Sequence, residues 1–315
     1  MSLGRTAASG QRITWTALPD AVRGWVEEVV GGGPVVVHQS QMGGFSPGTA
    51  DRIRTADGHR AFVKAVSPTQ NPRTPDLHRQ EAQVVALLPD TGRTPRLLGV
   101  YDDGFWVALV FEDVAGHTPS VPWIGTEVAA SMTALAQLAA DLTPSPAPQL
   151  GPVAGRLREP FGGWARIRAD RPRGLDDWSG GRLDELVTLA EHGLAAVAGD
   201  TLVHSDIRAD NLLVGADHAV TVVDWPWAAT GADWVDQLML VVNVDLYGGH
   251  DPESLLAQYL NRVPDQDVTA VLAGMCGYFS DAARQPAPVG LPTVRAFQAA
   301  QADSTRAWLR RRLGS

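Results

Sequence analysis

Residues 202–214 have the sequence LVHSDIRADNLLV. Two short apolar runs enclose a polar segment, which predicts a loop between two strands. The loop holds His204, Asp206 and Asn211 in the pattern H-x-D-x-x-x-x-N. Asp224 follows thirteen residues after Asn211, directly behind the apolar run VTVV (220–223). Loop and strand ends of this kind can bring two carboxylates and an amide close together.

Phosphoryl transfer needs this set of groups. One carboxylate must face the attacking hydroxyl and accept its proton, while a second carboxylate and a carbonyl oxygen hold magnesium against the phosphates. We therefore predict that Asp206 is catalytic and that Asn211 and Asp224 bind Mg²⁺. A loop aspartate by itself is more often a turn or helix-cap residue, so the prediction depends on the whole pattern.

The same segment resembles the catalytic loop of the aminoglycoside phosphotransferase family, which has the protein-kinase-like fold. Asp224-Trp225 is similar to the Asp-Trp that begins the family's metal-binding segment, and residues 231–236 resemble its Gly-Asp-Pro-x-x-Asp run. The resemblance implies that Asp236 anchors the catalytic loop and that ATP is the phosphate donor. His204 is expected to be structural, and Ser205 stands where the family often has glycine.

Upstream residues predict mainly strands between residues 35 and 114. Alternating apolar residues flank Asp57-Gly58, which is typical of a two-residue type I′ hairpin. A helical stripe from Leu77 to Leu88 ends at Pro89, and strands are expected at 96–103 and 105–113. Lys64 shares a strand face with Phe62 and Val66, so it is expected to point inward, where it needs a partner.

By resemblance, Lys64 matches the lysine that holds the ATP phosphates, and Glu81 on the next helix matches its ion-pair partner. QMGGFSPG (41–48) would be the phosphate-covering loop, with contacts from Gly43, Gly44 and Ser46, although it departs from G-x-G-x-x-G. The carbonyl of Glu112 and the amide of Val114 would hold adenine.

Helical periodicity dominates after Gly116, so the chain is predicted to be α+β. We expect a two-lobed protein-kinase-like fold, with an N-terminal nucleotide-binding lobe at 1–114 and a C-terminal catalytic and substrate-binding lobe at 115–315. Residues 143–181 hold six prolines and several glycines and are expected to form a long functional or disordered connection.

Composition and net charge limit the classes of molecule that the protein is expected to bind. The net charge of −9 and pI near 5.3 argue against nucleic acid and permit a cationic substrate. Cys276 is the one cysteine, so no disulfide framework forms, and a helix core position is expected for it. No apolar run reaches the length of a membrane span and the first residues do not resemble a signal peptide, which predicts a cytoplasmic protein.

Two features of the sequence leave open which molecule accepts the phosphate. Seven acids in residues 233–270 predict either an amine-binding pocket or a solvated face, the latter being more common. Trp164, Trp178, Trp225 and Trp227 predict either an aromatic substrate wall or core packing. The alternatives to an aminoglycoside-phosphotransferase-like enzyme are a kinase of a metabolite such as choline, homoserine or fructosamine, and a regulatory pseudokinase without turnover. The short spacing from Asp224 to Gly231 leaves no room for a protein-kinase activation segment.

Overall fold

The structure is a computed structural model that describes residues 12–41, 43–45 and 47–314. The chain divides into two compact units, both discontinuous in sequence. Unit 1 comprises the residues up to Thr118, with Asp210–Trp227 and Ala287–Val294, and unit 2 comprises Pro119–Ala209, Ala228–Pro286 and the residues from Arg295 onward. The predicted division of the chain into two domains at residue 114 stays a prediction.

Unit 1 is built on an antiparallel sheet with strand order β1-β2-β3-β5-β4, and short two-stranded sheets pair β7 with β8 in unit 1 and β6 with β9 in unit 2. The strands are β1 (Val35–Ser40), β2 (Thr49–Thr55), β3 (Arg60–Val66), β4 (Leu97–Asp102), β5 (Val107–Glu112), β6 (Thr201–Val203), β7 (Leu212–Val214), β8 (Val220–Val222) and β9 (Ala229–Gly231).

Among the helices, unit 1 contains α1 and α2, and unit 2 contains α3 to α10 and nearly all of α11. Their bounds are α1 (Asp20–Val30), α2 (Thr74–Val85), α3 (Gly125–Asp141), α4 (Val153–Phe161), α5 (Gly163–Asp170), α6 (Asp177–Gly181), α7 (Leu183–Ala196), α8 (Val235–Tyr247), α9 (Pro252–Tyr259), α10 (Asp265–Ala283) and α11 (Val294–Leu313). The α+β prediction is confirmed. In the parts of the chain that the structure describes, no helix is both long and apolar enough to cross a membrane.

The two faces of β3 have different roles because successive strand residues point to opposite sides of a sheet. Ala61, Val63 and Ala65 are fully buried in an apolar core that also contains Val22 and Val26 of α1. The intervening residues Phe62 and Lys64 line a cavity. Helix α1, which the sequence analysis did not predict, therefore covers the face of the sheet that does not carry the cavity.

The turn between β2 and β3 differs from the predicted two-residue type I′ turn. The strands stay paired through Arg54 and Arg60, and the Thr55 amide donates to the His59 carbonyl at 2.9 Å. Gly58 has φ +92°, and Asp57 is not in the left-handed region. The loop therefore has three residues with a left-handed glycine at its end, an arrangement for which an Asp-Gly pair is equally suited.

Residues 143–181 were wrongly predicted to be a long connection, because α4, α5 and α6 lie there. The prolines misled the prediction because they were interpreted as helix breakers. Pro148 and Pro152 instead stand at the beginnings of helical segments, where a missing N–H has no cost. Trp164 of α5 is fully buried, and its indole N–H donates to the Ala273 carbonyl of α10 at 2.8 Å. This segment is part of the core of unit 2.

Candidate active site

A cavity of about 450 Å³ lies within unit 1. It is bordered by the sheet, α2 and the β7–β8 hairpin, and most of the residues predicted for nucleotide and metal binding line it. These are Gly43, Gly44, Lys64, Glu81, Glu112, Val114, Asn211 and Asp224. A second cavity, of about 390 Å³, lies in unit 2 near Arg168 and Arg182, and none of the predicted site residues lines it.

Lys64, which lines this cavity, is held by two carboxylates. Its ammonium donates to both oxygens of Glu81, at 2.7 and 2.9 Å, and to Asp224 Oδ1 at 2.7 Å. The Lys64–Glu81 pair predicted from the sequence is thus formed. Burial lowers the pKa of Lys64, but attraction to Asp224 and Glu81 outweighs it and the net shift is upward. For Glu81, burial raises the pKa and Lys64 opposes the rise.

The β7–β8 hairpin explains why Asn211 and Asp224 are neighbours despite their separation in sequence. Leu212 pairs with Val222, and the next pair continues the ladder, with the Val223 amide donating to the Asn211 carbonyl at 3.0 Å. Asp224 follows immediately and has φ +69°, in the left-handed region. Strained backbone of this kind is often found where a side chain must be aimed at a site.

The glycine-rich segment enters the cavity at the same end as Lys64. Gly44 has φ +84°, and Gly48 has φ +102° with the Ala65 carbonyl oxygen only 2.4 Å from where a Cβ would stand. Position 48 therefore requires glycine for both conformation and space. Ser46, predicted to contact phosphate, lies outside the described residues.

Residues 112–114 also line the cavity. Asp113 is held by Arg52 Nε at 2.5 Å and Arg60 Nε at 2.7 Å, and Arg52 Nη2 also donates to the Val114 carbonyl at 2.8 Å. The Glu112 side chain accepts from Arg96 at 2.8 Å. The adenine contacts predicted for Glu112 and Val114 use backbone groups and stay predictions.

Two further cavity residues carried no sequence signal. Arg12 donates to the Gly43 carbonyl, and its pKa is lowered by burial in spite of the nearby Asp224, Asp51 and Asp210. His78 stands one helical turn before Glu81, and burial lowers its pKa to about 3. Its Nδ1 is buried with no hydrogen-bond partner in the described part of the chain. Neither residue belongs to a spaced motif, so only the folded structure reveals them.

Asp206 belongs to unit 2, on a loop that is anchored from α8. Asp236 accepts hydrogen bonds from the amides of His204 and Ser205, at 2.7 and 2.9 Å. His204 Nδ1 in turn accepts from the Asp206 amide at 3.2 Å. The anchoring hydrogen bonds expected of Asp236 and the backbone hydrogen bond expected of His204 are present. Arg208 Nη1 donates to both carboxylate oxygens of Asp206 at 2.8 Å.

The seven acids between residues 233 and 270 are all engaged within unit 2, so they do not form an open amine-binding pocket. Their partners are Arg262 for Asp233, loop amides for Asp236, Ser304 and Arg311 for Asp245, Ser254 for Asp251, Arg312 for Glu253 and Asp265, and His192 for Asp267. Of the tryptophans, Trp164 and Trp225 are fully buried and serve core packing. Cys276 is also buried, as predicted.

The family model described as the phosphotransferase enzyme family, APH, matches residues 44–272. The chain belongs to this family. The predicted class of enzyme, a small-molecule phosphotransferase, is confirmed with it. No curated protein matches the chain closely enough to be counted as a relative.

Solved structures of low sequence identity share the fold of this phosphotransferase. The AMP-bound spectinomycin phosphotransferase APH(9)-Ia has a TM-score of 0.56 at 13% identity, over 90% of this chain and 92% of that chain. Choline kinase LicA from Streptococcus pneumoniae has a TM-score of 0.54 at 13% identity, over 91% of this chain and 98% of that chain. An aminoglycoside phosphotransferase from Alicyclobacillus acidocaldarius has a TM-score of 0.53 at 18% identity, over 88% of this chain and 92% of that chain. The predicted protein-kinase-like fold is thus confirmed.

Proposed function

We propose that the chain transfers the γ-phosphate of ATP to a hydroxyl group of a small molecule. The observation that supports this most directly is the arrangement inside one cavity of Lys64, Asn211 and Asp224, with Glu81 paired to Lys64. A buried ammonium, a carboxylate and an amide at one end of a cavity are the groups that bind a polyphosphate and its metal ion. The other end of the same cavity is apolar enough for a base.

The base would lie between the sheet and the β7–β8 hairpin. Phe62 and Ala50 line the cavity from the sheet, and Leu213 and Val223 line it from the hairpin. A purine between these side chains would present its edge to the backbone of residues 112–114. Its phosphates would then extend toward Lys64 and the glycine-rich segment, which gives the nucleotide one orientation.

Magnesium fits the donor set at the phosphate end. Asn211 and Asp224 offer an amide oxygen and a carboxylate, which are the hard ligands this ion prefers. Within the described residues, no group of three or more histidine, cysteine, aspartate or glutamate side chains is arranged to hold a metal. Two protein ligands with phosphate and water oxygens are the usual arrangement for Mg²⁺, which when bound neutralises phosphate charge.

Asp206 would receive the proton of the acceptor hydroxyl. It stands five residues before Asn211 along the chain, in a loop whose backbone is fixed by Asp236. Arg208 holds both oxygens of the carboxylate in one orientation. A fixed carboxylate can align the hydroxyl with the γ-phosphate and accept its proton during transfer.

The acceptor is proposed only as a small hydroxylated molecule. Because the acids of residues 233–270 are engaged with partners in unit 2, they give no support for a polyamine acceptor in particular. Choline-like, homoserine-like and fructosamine-like acceptors therefore stay as candidates beside aminoglycosides. The solved structures of similar fold act on different molecules and do not choose among them.

A coupled assay of ADP release, run across hydroxylated metabolites and antibiotics, tests the proposal. We expect at least one acceptor to be phosphorylated, and Asp206→Asn to reduce that turnover by about 100-fold or more without loss of ATP binding. Asp184→Asn is the matched control because Asp184 is an exposed acid of unit 2. ATP binding without ADP release for any acceptor would favour a regulatory pseudokinase, and normal turnover by Asp206→Asn would refute the assignment of Asp206.

A further inference from the structure

The N-terminal segment is an integral part of the cavity wall. Arg12 forms a parallel bridge with Gly48, and the Ile13 amide donates to the Gly48 carbonyl at 3.3 Å. Three residues later, the Trp15 amide donates to Asp51 Oδ2 at 2.8 Å, and the Trp15 side chain is buried in the core. The backbone from Arg12 to Trp15 is therefore attached to the end of the glycine-rich segment at Gly48 and to β2 at Asp51.

From this backbone, the Arg12 side chain reaches the phosphate end of the cavity. Its guanidinium donates to the Gly43 carbonyl. A Cβ on Gly44 would lie 3.6 Å from Arg12 Nη2 and 3.7 Å from Asp210 Oδ2. The guanidinium and the Asp210 carboxylate thus both lie beside Gly44, and the cavity wall that contains them also contains Lys64 and Asp224.

The charges at this end call for a second cation when a polyphosphate binds. Glu81, Asp210 and Asp224 line the cavity here, and the ammonium of Lys64 is already shared between Glu81 and Asp224. A triphosphate would add several further negative charges to these carboxylates. A guanidinium offers a planar set of donors that matches two phosphate oxygens at once.

We propose that Arg12 is a phosphate-binding residue, which contacts the terminal phosphates of the nucleotide beside Lys64. This inference rests on the proposed function. In the protein without nucleotide, Asp210 and Asp224 balance the guanidinium electrostatically. Bound phosphates would take over that balance and leave Asp224 available to bind Mg²⁺. The same guanidinium contacts the glycine-rich segment at the Gly43 carbonyl.

Calorimetric titration of the full chain with ATP, ADP, AMP and adenosine, each with Mg²⁺, tests this role. Arg12→Met keeps the aliphatic stem and removes the charge. We expect it to weaken ATP binding about 10- to 100-fold, the range for one charge-assisted hydrogen-bonded contact, and to leave adenosine binding unchanged. Arg12→Lys keeps the charge without the fork and should give an intermediate loss.

Arg23→Met is the matched control, since Arg23 pairs with Asp20 on the surface of α1 in the same unit. Equal losses for ATP and adenosine, or an ATP affinity unchanged by Arg12→Met, would overturn the inference. Should Arg12→Met fail to fold by circular dichroism, Arg12→Lys decides by the same ATP-to-adenosine comparison. Wild-type chain that binds no ATP would reject the proposed function itself. ATP binding that depends on Lys64 and not on Arg12 would reject this inference alone.

Discussion

Replacing Lys64 by methionine isolates the energetic cost of the buried carboxylate behind it. Glu81 is 2% exposed and accepts two hydrogen bonds from Lys64, at 2.7 and 2.9 Å. Without the ammonium, the carboxylate would be charged, buried and uncompensated, which costs about 3–5 kcal/mol. Methionine fills a similar volume, so loss of packing adds little.

The carboxyl of Glu81 can avoid this cost by taking up a proton. The free energy of that protonation therefore limits how much stability the variant loses. Protonating a group whose ordinary pKa is 4.5 costs about 3.4 kcal/mol at pH 7 and about 0.7 kcal/mol at pH 5, at 1.36 kcal/mol per pH unit. The pKa of Glu81 is already raised to about 7 beside Lys64, so part of this cost is present in the wild type, and we expect Lys64→Met to lower the free energy of unfolding by up to about 3 kcal/mol at pH 7 and by less than about 1 kcal/mol at pH 5. The loss is larger at pH 7 because the pKa of the Glu81 carboxyl is raised in the folded state. The contribution of such a group to stability is present at low pH and is lost as the pH rises.

Urea unfolding at the two pH values, with wild type measured at each, gives these differences. The double variant Lys64→Met/Glu81→Leu should regain most of the stability at pH 7 and should still lack phosphotransfer, because it removes both charges together. Arg168→Ala is the control. Arg168 and Asp184 form an ion pair of the same 2.7 Å length, but their side chains are 43% and 91% exposed, so less than about 1 kcal/mol should be lost.

Two results would refute the reasoning. One is a loss for Lys64→Met that is equal at pH 5 and pH 7, which would mean that the buried charge of Glu81 is not its cause. The other is a double variant as unstable as the single one. Either outcome would mean that Lys64 stabilises the fold through its packing and not by compensating the charge of Glu81.

Three further predictions concern other parts of the chain. The pKa of His78 is about 3 in the folded state and near 6.5 in the unfolded state, so this residue should lower the free energy of unfolding by about 1.3 kcal/mol when the pH falls from 7.0 to 5.5. The variant His78→Leu should lose this pH-dependent contribution in urea unfolding. A pH dependence equal to that of the wild type would contradict the prediction. Gly163→Ala should lower the free energy of unfolding by about 1–3 kcal/mol, since a Cβ there would lie 2.2 Å from the Gly277 carbonyl oxygen. Gly155→Ala, in open space on α4, should instead raise it by up to about 1 kcal/mol, and thermal unfolding of the pair checks both.

Much of the site was predictable because phosphoryl transfer uses a few residue types at set spacings. Strand alternation predicted that Lys64 points inward, the resemblance to the family supplied Glu81 as its partner, and their ion pair is present. Periodicity failed for residues 143–181, where prolines at helix starts were interpreted as breakers, and the two-residue turn at Asp57-Gly58 is a three-residue loop. Both errors concern local signals that are compatible with more than one conformation.

The H-x-D-x-x-x-x-N pattern and Asp224, together with Lys64 and Glu81 upstream, indicated the family and the type of reaction, because phosphoryl transfer needs these residue types in this order. The tertiary structure alone decided which other groups join them. Arg12 and His78 reach the cavity from the N-terminal segment and from α2 and have no motif. The acids of residues 233–270 differ from an open acidic face only through partners such as Arg312, which is distant in sequence. Contacts of this kind arise from packing between elements, and local sequence patterns carry no record of them.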